Sequence, residues 1–431
     1  MKSSKLLQRC IHSFLMMTSI AIFQASSEEI SMSSWVAPPS LVDKLEARDL
    51  ERGRVTNFRE ENIPAYKLPE LLELAAGGEV LDAVTWREQR RPEIIELFKK
   101  HAYGRAPLNR PEGITFKIHN LDRHSMGGEA TRKQVEINFS GTGKSLKMNL
   151  IIFIPNQFEG PAPGFLLISH RDRSNLDPTR EKKTGFWPAE DLVARGYTAI
   201  TFYAGDLDDD EFDEFKDLIH AQFDGPGPRQ PDAWGTLAAW AWGASRAMDY
   251  LETDDDIDHQ RIGVVGHSRG GKASLWAGAL DERFALVVSN SSGCGGAALS
   301  RRKIGNPVDI LNRKNPHWYC ENYKQFDSKE ETMPFDQHML LALAAPRLLY
   351  VASASEDLWA DPRGEFLAAV NAEPAYHLLG VKGFETEHMP AVESPVHIGR
   401  IGYHIRGGEH DLKQYDWQRY MDFADKHWKK N

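Results

Sequence analysis

The 431-residue chain reads as an α/β protein, a three-layer sandwich in which a mostly parallel sheet is covered by helices on both faces. Three observations predict this. Short, almost wholly apolar runs recur from about residue 146 onward, as expected of strands buried on both faces. Stretches of helical spacing separate them, so strand and helix alternate. An apolar fraction of 41% with 11 Trp and 20 Phe supplies a sizeable core, which excludes global disorder.

The elements follow in chain order. Residues 1–27 read as a signal peptide: Lys2, Lys5 and Arg9 form a basic start, Phe14 to Phe23 an apolar run, and Ala25-Ser26-Ser27 a small-residue exit. The apolar run is too short to span a bilayer. Its removal takes away three cations and no acids, so a soluble, acidic, exported protein is expected, periplasmic or secreted. Residues 28–85 are mixed and weakly periodic, an N-terminal extension of extended arm and short helices. The catalytic domain is then expected over 86–431. Within it, 85-TWREQRRPEIIELFKKHAYG-104 has helical spacing and a glycine stop. Strands are expected at 131–139 and 146–155, then at 165–169, 198–203, 262–266, 284–289 and 347–352. Helices are expected at 188–196, 232–252, 270–280 and 335–344.

Charge and cysteine content narrow the function classes. A net charge of −10 gives no electrostatic case for nucleic acid. Of three cysteines, Cys10 leaves with the signal; Cys294 and Cys320 remain as a disulfide or as two buried thiols. Cys/His metal spacings are absent. The acid run 206-DLDDDEFDEF-215 lacks the glycine and terminal glutamate of an EF-hand loop and reads as a solvated loop.

Chemistry is carried by 262-IGVVGHSRGGKASLWAGAL-280, where Gly266-His267-Ser268-Arg269-Gly270 is a GxSxG motif between a strand and a helix. The glycines allow a sharp turn that exposes the Ser268 hydroxyl at a helix N-terminus, with the Arg269 backbone N–H facing a developing oxyanion. This is the nucleophile arrangement of an α/β-hydrolase, in which an acid and then a histidine follow the serine in the chain. After the strand at 347–352, Glu356 and Asp357 stand at a C-terminal strand end; Asp357 is the expected acid and Glu356 the alternative. Asp361, before Pro362, fits a helix cap instead. Among six later histidines, His410 follows a Gly-Gly turn between the last strand and the last helix and is the expected base, with His388 the alternative. His404 falls inside the strand and His427 on the helix surface.

With those residues placed, the chain from about Trp86 to Trp428 resembles the glucuronoyl esterases of carbohydrate esterase family 15, most of all the bacterial members. The most specific element is Ser268-Arg269-Gly270-Gly271-Lys272, similar to that family's S-R-x-G-K signature; 293-GCGGAALSRR-302, 317-HWYCENY-323, 357-DLWADP-362 and 407-GGEHD-411 support it. The resemblance implies Ser268 as nucleophile, His410 as base, Asp357 as acid, and Arg269 as an oxyanion donor through its side chain as well. It implies contacts from Lys272 and Trp359 to the uronate hydroxyls, with Trp318 lining the same pocket. Two positions depart from it. Many members carry the triad glutamate where Ser291 stands here, which leaves the acid to Asp357. A sugar-binding glutamate of relatives aligns near Asn306, an amide without charge.

Each residue also has a structural reading. Arg269 and Lys272 fit surface helix positions, and Trp318 and Trp359 fit core packing as well as sugar stacking. Arg171 and Arg173 either bind an acidic sugar or form salt bridges. The resemblance implies hydrolysis of esters between (4-O-methyl-)glucuronic acid on xylan and a lignin-type alcohol, with no metal or organic cofactor, by a monomer. The alternatives are an acetylxylan or general carboxylesterase, and a non-catalytic uronate-binding protein.

Overall fold

The computed structural model describes residues 35–107, 109–139 and 146–429; the expected signal peptide lies outside them. Strands β1 (Thr115–Ser125), β2 (Ala130–Phe139) and β3 (Leu146–Pro155) form an antiparallel meander. Strands β4 (Ala162–Ser169), β5 (Thr198–Tyr203), β6 (Ile257–His267), β7 (Leu286–Asn290), β8 (Leu348–Ala354) and β9 (Ile401–Arg406) run parallel to one another. Their order across the sheet is β1-β2-β3-β5-β4-β6-β7-β8-β9, and β3 meets β5 antiparallel.

Side chains alternate between two cores, as the two-residue repeat of a strand requires. Leu166, Ile168, Val264, Val287, Leu349 and Val351 face one core, whereas Phe165, Leu167, Val265, Leu286 and Tyr350 face the other. The first core is closed by helices at Arg91–His101 (α2), Thr236–Leu251 (α4), Arg269–Leu280 (α5) and Pro362–Leu378 (α7). Helices at Ala189–Ala194 (α3) and Gln414–Trp428 (α8) close the second. Helix α1 (Pro39–Glu51) packs Val42 and Leu45 against Phe58 and Leu358 in a third, small cluster, and α6 (Val308–Lys314) lies in the long connection between β7 and β8. Trp86, Trp187, Trp240, Trp276 and Trp417 are fully buried. Each such side chain contributes roughly 1.5–3 kcal/mol relative to exposure.

Several elements differ from the sequence reading, each for a local reason. Strand β1 (TFKIHNLDRHS) was not anticipated: it is a mostly exposed edge strand, so it carries no apolar signal. Helix α4 begins at Thr236 rather than 232, because the Gly235 N–H donates to the Tyr103 carbonyl at 3.1 Å. The helix expected over 85–104 begins earlier, with a turn at Ala83–Thr85 capped by Asp82, and passes through a π-helical turn over Trp86–Arg90 that buries Trp86. Asp361 caps a helix as expected, accepting from the Gly364 N–H at 2.9 Å with Pro362 in the first turn, although the extent of that helix, α7, is not evident from the sequence pattern. Cys294 and Cys320 are both buried free thiols.

Candidate active site

The sharp turn from β6 into α5 places Ser268 at φ 55°, ψ −124°. A non-glycine residue there costs on the order of 1–3 kcal/mol and persists only where its surroundings over-determine it. Here they do: the Ser268 N–H donates to the Asn290 carbonyl at 2.8 Å, and a Cβ on Gly266 would overlap the Gly270 backbone. Gly266 is therefore a steric requirement, a Cβ on Gly270 would be tight against the Ile168 carbonyl, and Arg269 is the first residue of the helix.

Asp357 follows β8 and is buried at 3% exposure, while His410, in the loop between β9 and α8, is 42% exposed on its side chain. Asp357 Oδ2 lies 2.5 Å from His410 Nδ1. Glu356 is exposed, and its N–H donates to the Gly408 carbonyl at 3.0 Å; His388 is exposed. His404 lies within β9, bonded to Asp416 at 2.8 Å, and the half-buried His427 faces the Gly399 carbonyl at 3.1 Å. The His410 loop is braced from below. The buried Arg406 guanidinium donates to the carbonyls of Gly407 (2.9 Å), Glu409 (2.8 Å) and Asp411 (2.6 Å), and Arg171 pairs with Asp411 at 2.6 Å. Arg173 pairs with Asp206 at 2.5 Å. The two arginines after β4 thus form ion pairs. The His267 ring meets that of His410 at a tilt, with centroids 4.5 Å apart; burial, together with the neighbouring imidazoles, holds it well below the usual histidine range.

One cleft of about 350 Å³ brings together Ser268, Arg269, Lys272, Asp357 and His410 with Trp318, Trp359 and Asn306. Ser291 lines it too, with a buried hydroxyl that has no hydrogen-bond partner among the described residues. Arg269 pairs with Asp210 and lies over the Trp318 ring, 4.8 Å from its centroid. Asp210 also accepts from the Trp318 indole N–H at 2.7 Å and faces His317 Nε2 at 3.2 Å. Burial pushes the Asp210 carboxyl up, but these donors outweigh it and hold it below the ordinary range. The solvated-loop reading of the acid run is corrected here: Asp206 and Asp208 are buried, and Asp210 anchors the site.

Lys272 is buried one helical turn beyond Ser268, its ammonium donating to the Ser292 carbonyl and, at 2.6 Å, to the Cys294 carbonyl. Burial lowers it to about 8. The same loop is held from behind by Glu365 of α7, fully buried, which accepts from the N–H groups of Ser292 (2.7 Å) and Gly293 (3.0 Å) and from the Ser353 hydroxyl (2.6 Å). Asn306 accepts from Lys314 at 3.4 Å. Sequence reasoning missed Asp210, Glu365, Arg406 and Lys314. Only the first two could have been sought, as acids within a charge run and on an otherwise apolar helix face. Among the described residues, no group of three or more His, Cys, Asp or Glu could hold a metal ion.

A family model described as "Glucuronyl esterase, fungi" matches residues 228–380. The carbohydrate esterase MZ0003, from an unknown prokaryotic organism, is 42% identical over 400 residues, covering 86% of this chain and 92% of that protein. A 4-O-methyl-glucuronoyl methylesterase of Schizophyllum commune is 29% identical over 333 residues, covering 74% of this chain and 76% of that protein. Among solved structures, a glucuronoyl esterase from Solibacter usitatus is similar at 42% identity with a TM-score of 0.81, covering 85% of this chain and 100% of that one. The structure of a promiscuous carbohydrate esterase family 15 esterase from a marine bacterial metagenome is similar at 41% identity with a TM-score of 0.79, covering 86% of this chain and 100% of that one.

Proposed function

The chain belongs to the glucuronoyl esterases of carbohydrate esterase family 15, and from that premise we propose that it hydrolyses esters of glucuronic or 4-O-methyl-glucuronic acid. In plant cell walls these would be the cross-links between glucuronoxylan and lignin alcohols. The observation that carries this reading is a single cleft combining a Ser, His and Asp set with Arg269, Lys272, Lys314 and two tryptophans. A purely apolar acyl group has no use for that wall, whereas a ring bearing hydroxyls matches its donors.

In this mechanism Ser268 Oγ attacks the uronate carbonyl as His410 takes its proton, and Asp357 holds the imidazole through Nδ1. The tetrahedral oxyanion is met by the Arg269 backbone N–H at the start of α5 and by its guanidinium, which Asp210 orients. Collapse expels the alcohol, protonated by His410, and leaves a glucuronoyl-Ser268 ester. Water, deprotonated by His410, then releases the free uronate. Lys272 and Trp359 contact the ring hydroxyls, Trp318 lines the pocket, and Asn306 offers an uncharged amide.

Benzyl glucuronate is the deciding substrate, assayed by release of benzyl alcohol. Wild type turns it over, and Ser268→Ala loses about 10³-fold or more in kcat; retained turnover sinks the nucleophile assignment. A second reading, a broader carboxylesterase, is favoured by one observation: a relative at 41% identity is described as promiscuous. Efficient cleavage of acetylated xylan or nitrophenyl acetate with no action on glucuronate esters selects it. Binding of glucuronate oligosaccharides without turnover selects a binding protein instead.

A further inference from the structure

Trp359 does not hold its position through the sheet; it is held by the N-terminal segment. The Arg48 guanidinium lies 4.4 Å from the centre of its ring, and Phe58 meets it edge-on at 5.3 Å. Its indole Nε1 faces Asp49 Oδ2 at 3.4 Å, and that buried carboxylate also accepts the Thr56 hydroxyl at 2.5 Å. Beside it, the Asn57 carbonyl accepts the Gly305 N–H at 2.9 Å, and the next residue, Asn306, donates its N–H to the Trp359 carbonyl at 3.3 Å. Gly305 sits at φ 67° so close to the Trp359 backbone that a Cβ would overlap it, so the two walls of the cleft are packed directly against each other. Val42, Leu45 and Phe58 close over Leu358, and Arg302 joins Glu60 of the segment to Asp361.

The reacting groups are held otherwise. Ser268 hangs on β6, α5 and the Asn290 carbonyl, and His410 on Arg406 and Asp357. We propose that residues 39–62 are a specificity element of the acyl pocket. Arg48, Asp49 and Phe58 are positioning residues for Trp359, and Asn57 positions Asn306, so the segment governs recognition of the sugar ring and leaves ester attack untouched. This rests on the glucuronate reading above.

The test measures kcat and KM of the full chain for benzyl glucuronate and for nitrophenyl acetate, whose acyl group is too small to reach Trp359. In Arg48→Ala and Asp49→Asn, KM for the glucuronate rises about two- to tenfold, the range of one cation–π contact or hydrogen bond. kcat and all acetate constants stay within about twofold, by the same argument that the triad is untouched. Arg48→Lys, which keeps a cation on the ring, restores most of the affinity. Equal losses on both esters, or no loss on either in variants with unchanged melting temperature, overturn the proposal. Wild type inert towards the glucuronate overturns the functional reading itself, and this inference with it, before any variant is made.

Discussion

Glu365→Gln separates a buried acid that holds a loop by hydrogen bonds from one that holds it by charge. The carboxyl is fully buried, one oxygen accepting two backbone N–H groups and the other paired with Ser353, which itself receives the Tyr403 hydroxyl at 3.0 Å. Burial pushes Glu365 up to about 8 from an ordinary 4.5. The folded protein therefore keeps a proton that the unfolded chain has released across that window. Stability from this group is greatest at low pH and falls as pH rises from about 4.5 to 8, by at most about 1.4 kcal/mol per unit. Glutamine is neutral like the protonated acid and has no proton to lose; its oxygen accepts the two N–H groups and its NH₂ donates to Ser353, whose hydroxyl turns from donor to acceptor. Urea denaturation midpoints at pH 5 and pH 8 read the difference. At pH 5 the two proteins agree within about 1 kcal/mol; by pH 8 the variant is more stable by about 2–4 kcal/mol. Parallel curves, with the variant equally weakened at every pH, refute the argument and make Glu365 an ionised anchor. The comparison stops at pH 8 because Lys272 then enters with opposite sign. Its lowered value of about 8 means that the unfolded chain binds more protons above it, so stability rises with pH there.

Lys272 carries a kinetic prediction in the same range: KM for benzyl glucuronate rises roughly threefold or more as pH passes 8 and the ammonium is lost, while KM for nitrophenyl acetate stays flat. A flat glucuronate profile, or the same rise in Lys272→Met, removes Lys272 from ring recognition. Asp210→Asn breaks the ion pair that holds Arg269 and lowers kcat about ten- to a hundredfold, the range of one hydrogen bond to a charged group. Because the oxyanion is common to all esters, glucuronate and acetate suffer alike, the opposite of the Arg48→Ala pattern; a loss confined to glucuronate places Asp210 on the sugar side instead.

What could be read in the sequence divides along the range of the interactions. The elbow was legible because its geometry is written in five consecutive residues: a strand, two glycines around a serine, and a helix. Asp357 and His410 were legible because the parallel sheet delivers successive strand ends to one edge, so chain order becomes spatial order. Strand β1 was not legible, since an edge strand with one partner needs no apolar face. Nor was Asp210, whose partners Arg269 and Trp318 lie 59 and 108 residues away. Charge composition cannot separate an acid that solvates a loop from one that anchors a cation.

The same division runs through the site itself. Ser268 opens a helix and is fixed largely by backbone hydrogen bonds, while His410, in the loop after the last strand, is fixed by the Asp357 carboxylate and by the Arg406 guanidinium that braces its loop. On the glucuronate reading, the groups assigned to the acyl ring are fixed by remote segments: Trp359 by Arg48 and Phe58, and Lys272, on α5, by loop carbonyls that Glu365 holds in turn. Such a wall can change its recognition by substitutions that leave Ser268, Asp357 and His410 in place. On the glucuronate reading the uncharged Asn306 belongs to that adjustable wall, whereas Ser291, whose buried hydroxyl has no partner among the described residues, stands where many family members carry the triad acid.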